Sequence, residues 1–317
     1  MTRWESVAAI GAAALIATFH TSHVLLALAV GAAGFFVVRG TGHRLRGLLV
    51  GAGVAAVGAA SAMVFSAAVE QALGAPPLSP PFLSARLSYD GPAIGFLRTH
   101  CDAEPAGERF ALCAYKDRLP LHSDAFLWNE DPTTGLFQVV PPEMQRRIAA
   151  EDKSFFLAVV AADPLDAGSF VLRSIWTQLG EFELVNFNYP DFGVTELYHK
   201  YPDRIAAQIA ASRAANGTMP TALTVVATVA VSGLALAAAI GLGLACRRRA
   251  IAVRPEIARF AAILLFGVLA NAVICGAFSK PTARYQMRLV WLLPLAVQVG
   301  ASGARRGPAV AERIGST

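Results

Sequence analysis

The chain has 317 residues, 55% of them hydrophobic and only 15% charged, with a net charge of +5. That balance is too oily for an ordinary water-soluble domain, and it is unevenly spread. Residues 70–219 hold 12 Lys/Arg against 19 Asp/Glu, whereas the remainder holds 15 against 3. The positive charge therefore sits beside the apolar runs and reads as a membrane-topology signal, with no interleaved basic and aromatic surface to suggest nucleic acid as a partner.

Residues 7–38 are apolar except for His20-Thr21-Ser22-His23. A single helix of that length would be about 48 Å long, which needs strong tilt in a bilayer. Two full spans would need about 40 residues. Two short helices turned tightly at the His-Thr-Ser-His sequence, on the outer side, are expected, with one tilted helix as the alternative. Met1-Thr2-Arg3 before an Ala-rich core has the start of a signal peptide, but Glu5 and the continuing apolar run argue against one.

Arg39, His43, Arg44 and Arg46 read as a cytoplasmic loop. Gly47 to Val69 is a third span, in which Gly47, Gly51, Gly53 and Gly58 let a neighbouring helix of the same chain come close.

Residues 70–219 follow as a mainly helical extracytoplasmic domain. It opens with the Pro-rich linker Ala75-Pro76-Pro77-Leu78-Ser79-Pro80-Pro81, which cannot be helical throughout. Short helices are expected around Phe82–Tyr89 and Pro92–His100, with Pro120–Pro132 irregular. Pro141 and Pro142 suit the first turn of a helix reaching Ala162, and Pro164 starts another. In that second helix Leu172, Ile175, Trp176 and Leu179 form one apolar stripe at i, i+3, i+4 and i+7, which reads as core or as a contact with the membrane surface. An aromatic loop, residues 186–192, precedes a last amphipathic helix ending near Asn216-Gly217. Asn216-Gly217-Thr218 matches an N-glycosylation acceptor and equally suits a helix cap.

Cys101 and Cys113 lie in this segment and would pair in an oxidising compartment, contributing about 3 kcal/mol in the chain-entropy model. The competing reading is a metal site of His100, Cys101, Cys113 and His122, whose spacing fits no zinc pattern.

Pro220 to Arg249 is the run that orients the chain. It carries no charge before Arg247-Arg248-Arg249, and Lys and Arg beside a span resist translocation. The triple Arg is therefore expected in the cytoplasm and the acidic middle outside. Arg259–Phe278 and Leu289–Gly303 read as a fifth and sixth span, with Arg305 and Arg306 returning the tail, residues 304–317, to the cytoplasm. The expected fold is thus all-α: about six membrane helices, at 1–69 and 220–303, around the extracytoplasmic domain.

Between the last two spans, Ser279-Lys280-Pro281-Thr282-Ala283-Arg284-Tyr285-Gln286-Met287-Arg288 faces outward against the charge rule. Arg284 and Arg288 are four apart and share a helix face. With Lys280 and helix-start N–H groups they would clamp a phosphate. The alternative is that they only anchor the span end by snorkelling. His20 and His23 would lie near the same boundary, as a proton relay, a metal pair or a plain polar turn. Glu130-Asp131, Glu151-Asp152 and Glu181/Glu183 stand out only as local acid clusters, and no spacing makes an acid/base pair. No organic cofactor motif is present, and no catalytic residue is assigned.

The closing segment, Asn271-Ala272-Val273-Ile274-Cys275-Gly276-Ala277, then Arg284-Tyr285, then Leu292-Leu293-Pro294-Leu295, resembles the last spans of bacterial multi-pass envelope proteins, including GT-C-class glycosyltransferases. Ala161-Ala162-Asp163-Pro164 leading into a helix ending at Gln178-Leu179 resembles their outer helices. The resemblance covers about the last half of the chain and implies an inner-membrane protein handling an anionic, lipid-linked substrate at the outer leaflet by glycosyl transfer. That class places a catalytic carboxylate in the first outer loop, where this chain has only His20-Thr21-Ser22-His23, so it reads as a shortened relative or one lacking an upstream part. Membrane lipids are expected partners in either case. The rival expectation is a non-catalytic envelope scaffold that binds a protein through surfaces around Trp128 or Tyr189.

Overall fold

The computed structural model describes residues 2–38, 40–89, 91–103, 110–119, 121–181, 201–248 and 251–306. Arg39, Glu183, Arg249 and the aromatic loop with Tyr189 lie outside them. The chain divides into two compact units, residues 1–24, 56–177 and 273–281 in the first, and 25–55, 178–272 and 282–317 in the second.

In the first unit, α1 (Arg3–Ala17) opens with a capping box: Thr2 and Glu5 each satisfy the other's backbone N–H. The apolar run does form two helices, since α2 (Thr21–Val37) starts after a break at residues 18–20. The His20 ring makes that restart, because Nδ1 accepts the N–H of Ser22 in the first turn at 3.2 Å. From α3 (Thr41–Leu73), Gly58 lies against the end of α1, where a Cβ would come 2.8 Å from the carbonyl oxygen of Ala17.

The same unit holds α4 (Phe82–Leu87), α5 (Ala93–Ala103), a 3₁₀ helix (Ala111–Arg118), α6 (Ser123–Trp128), α7 (Pro142–Ala162) and most of α8 (Pro164–Gly180). Their buried face is aromatic and aliphatic, centred on Leu97, Phe126, Phe137, Ile148, Phe155 and Val159. Cys101 on α5 and Cys113 on the 3₁₀ helix form a disulfide with Cα atoms 5.4 Å apart, which uses both sulfurs that the metal reading needed. The stretch 120–132, expected to be irregular, contains α6. Its start is held by the His122 ring, which accepts the Asp124 N–H, and its Phe126 and Leu127 are buried.

In the second unit α2 and α3 approach backbone to backbone. A Cβ on Gly51 would come 2.7 Å from the Ala27 carbonyl oxygen and 2.8 Å from Gly31 Cα. Such contact needs small residues, the usual means of helix packing where lipid supplies no hydrophobic drive. The unit continues with α9 (Asp203–Ala210), α10 (Thr221–Arg247), β1 (Ile251–Val253), α11 (Pro255–Phe278), α12 (Ala283–Met287), α13 (Leu292–Ser302) and β2 (Ala304–Arg306). Helix α10 packs on α13, and β1 pairs antiparallel with β2, Ile251 opposite Arg306. These two three-residue strands are the only strands among the described residues.

Among the described residues three helices are long and apolar enough to cross a membrane: α3, α10 and α11. A fourth span is added only if α7 and α8, bent by 110° at their junction, count as one. The expected sixth span is shorter than the sequence suggested, since α13 has 11 residues, about 16 Å at 1.5 Å per residue against roughly 30 Å of hydrocarbon. Pro294 explains the late start: it is tolerated in a first helical turn but not inside a helix. The last helix of the middle segment also stops earlier than expected, at Ala210, with turns leading to Gly217 at φ +65°.

The Gly51 contact is testable. Gly51→Val should lower the unfolding midpoint in detergent by about 1–3 kcal/mol equivalent through overpacking against backbone. Gly53→Ala, which would meet no atom within 4 Å, should leave it unchanged.

Candidate functional site

The first unit contains a cavity of about 450 Å³, and its construction starts at α4. Pro81 precedes this short helix without a side-chain cap. The open N–H groups are met instead by Asp152 of α7, which accepts from the Ser84 N–H and hydroxyl, both at 2.7 Å, and from Leu83 at 3.4 Å. A carboxylate at a helix start satisfies orphan donors and opposes the helix dipole favourably.

Pinned in this way, α4 presents Arg86 to the cavity with only 4% of its surface exposed. Its guanidinium lies 4.3 Å from the Phe170 ring centroid and donates to the Ser174 hydroxyl. The Ser174 hydroxyl donates in turn to the Phe170 carbonyl at 2.8 Å. Phe170 and Ser174 are one turn apart on α8, so a single helix face supplies both the aromatic ring and the acceptor.

Two further cations line the same space, Arg173 from α8 and Lys280 from the segment just beyond α11. Lys280 Nζ pairs with Asp124 at 3.1 Å, and Asp124 lies 3.7 Å from His122 Nδ1. The His122 ring meets Tyr89 edge-on at 5.0 Å, and Ser123 donates to the Ala85 carbonyl at 3.3 Å. Tyr89, Ser123, Ser174 and Thr177 thus add hydroxyls to a wall whose charged members are Arg86, Arg173 and Lys280.

The residues singled out from sequence are distributed differently. Lys280 belongs to this cavity. Arg284 and Arg288, both exposed, instead stack on the ring of Tyr285 between them, at 5.2 and 5.8 Å, in the second unit. Arg284 sits in α12, a helix of five residues for which Arg288 is the C-cap, and the Thr282 N–H before it is taken by Gln178 Oε1 at 2.9 Å. His20 and His23 are 5.8 Å apart, and both hold the turn: His20 binds the Ser22 N–H and hydroxyl, and His23 Nδ1 meets the Ile16 carbonyl at 2.9 Å. No group of three potential metal ligands occurs among the described residues.

The acid clusters have local roles. Asp131 accepts from the hydroxyl and N–H of Thr133, which lowers its pKa from the ordinary value. Glu151 pairs with Arg147 at 2.8 Å and accepts from the Ala111 N–H. Sequence reading missed Arg86, Arg173 and Asp124. The available signal was a single Arg inside the apolar Phe82–Leu87 stretch, a place where charge is seldom buried without partners.

Comparison with protein families, with characterised proteins and with solved structures gives no match for this chain.

The Asp152 cap can be tested apart from any ligand. Asp152→Ala should destabilise the protein by about 1–2 kcal/mol, read as a fall in thermal midpoint. Glu143→Ala, elsewhere on α7, should change it little.

Proposed function

We propose that the protein holds the phosphate group of an anionic, lipid-linked substrate in the Arg86–Arg173–Lys280 cavity, at the outer leaflet of a bacterial inner membrane. The observation that carries this reading is the convergence of three cations from three separate elements on one cavity. Arginine forks and an ammonium, with hydroxyls between them, match the several acceptor oxygens of a phosphate or pyrophosphate.

Lipid linkage is supported by chain connectivity. Lys280 is the second residue after α11 ends at Phe278, and two residues reach at most about 7 Å. The cavity's ammonium is therefore tethered within a headgroup's thickness of a helix able to cross the membrane. The side is argued from charge: Arg247-Arg248-Arg249 at the end of α10 favours the cytoplasm, which sends the acidic middle segment outward. Glycosyl transfer is the reaction class that the C-terminal resemblance implies, and among the described residues Asp124 is a carboxylate paired with the cavity's Lys280.

A second reading has its own observation. Phe82 and Trp128 are half exposed with rings edge-to-face at 6.0 Å, the kind of aromatic patch on which a protein partner could seat. In that case the protein is an envelope scaffold, and Trp128→Ala abolishes association while the cavity cations tolerate neutral residues.

Binding of dodecyl phosphate to the purified full-length protein separates the possibilities. Arg173→Gln and Lys280→Gln should each weaken it about tenfold, equivalent to ~1.4 kcal/mol, with binding of uncharged dodecyl maltoside unaltered. Arg284→Gln/Arg288→Gln should leave the affinity in place. Unchanged binding in the Arg173 and Lys280 variants would overturn the cavity assignment, and loss in the Arg284/Arg288 pair alone would move the clamp to Tyr285.

A further inference from the structure

Helix α8 carries apolar residues on two opposite arcs. At 100° per residue Ala167, Phe170 and Ser174 fall on one side, and Leu165, Leu172 and Trp176 on the other. The first set is buried. The second is 87%, 69% and 79% exposed. Of the stripe that the sequence offers as core or membrane-surface contact, Leu172 and Trp176 therefore point outward while Ile175 and Leu179 are half-buried, and three large apolar side chains on one face call for a non-aqueous neighbour.

What covers them is indicated by what α8 touches. Gly276, two residues before the end of α11, lies directly on its backbone: a Cβ there would come 2.8 Å from Ile175 Cα and 3.0 Å from the Ser174 carbonyl oxygen. Only glycine permits the crossing. Helix α11 is long and apolar enough to cross a membrane, and on its last turns Val273 and Phe278 are exposed. The apolar surface of a spanning helix thus continues onto α8 at the level where that span ends. The 110° bend between α7 and α8 is incompatible with threading the pair straight through as one span.

We infer that α8 is an in-plane helix of the membrane–water interface, with its Leu165–Leu172–Trp176 face in lipid and its Phe170–Ser174 face turned toward the protein. Tryptophan is at home at that depth, where an apolar ring and a polar N–H meet the headgroup layer. This placement of α8 holds whatever the cavity binds.

The test is depth-dependent quenching of Trp176 in the full chain, reconstituted in nanodiscs of phosphatidylcholine brominated either near the carbonyl end or near the methyl end of its acyl chains. Emission from Trp176 is taken as the difference between the native protein and Trp176→Phe, a conservative change at an exposed position. The expected result is a blue-shifted signal quenched severalfold more by shallow than by deep bromines. Strong quenching by aqueous acrylamide with none by bromolipid would overturn the inference, as would stronger quenching by deep bromines. Protection from both quenchers would also overturn it, assigning the face to a second copy or a protein partner.

Discussion

The structure of the first unit depends on how one guanidinium is taken out of water. Arg86 is almost fully buried, and desolvating such a group costs several kcal/mol unless geometry offsets it. Helix α8 contributes to that offset by setting the Phe170 ring face and the Ser174 oxygen against the charge. Neither partner would reach if α8 were turned by even one residue about its axis. The position of Arg86 itself is fixed from the other side, because Asp152 of α7 holds the first turn of α4. Three helices are locked through a single side chain, and the cavity is the space left beside it.

That requirement bears on which way α8 faces. Burying Leu165, Leu172 and Trp176 would gain roughly 1.5–3 kcal/mol each from apolar transfer, so composition alone favours turning them inward. Doing so would take the Phe170 ring and the Ser174 oxygen away from Arg86, since both lie on the opposite arc. Taking partners from a buried charge costs about 3–5 kcal/mol, less than the roughly 4.5–9 kcal/mol that three buried apolar side chains would gain, so this orientation of α8 holds only where a lipid environment removes the reason to hide the other arc.

The division between what was legible in the sequence and what was not follows from the range of each interaction. Helices α3, α10 and α11 could be read because length and hydropathy are local properties. So could α7 and α8, whose prolines fix their first turns. The apolar stripe of α8 was visible from its period, but its direction was not, because the residue that sets it, Arg86, is 88 positions from Ser174. Lys280 stood out as a cation in an unexpected place, whereas Arg86 and Arg173 each looked like ordinary helix residues until the fold brought them to one wall. The pairing of Ile251–Val253 with Ala304–Arg306 left no signal, since three residues carry too little alternation to register.

Between the two apolar arcs of α8 runs a third strip, Asp166, Arg173 and Thr177, at i, i+7 and i+11. Arg173 and Thr177 of this strip line the cavity. Arg173 is also three residues before Trp176, a neighbour on the helix surface, so the cationic wall and the exposed apolar face meet along one edge of a single helix. A ligand whose anionic group met Arg173 would find apolar surface within one residue's width, and an aqueous ion would find no use for it. An amphiphile satisfies both sides of that edge at once. The same division, charge on one strip and alkyl and indole surface on the next, is what a helix at a lipid boundary has to provide.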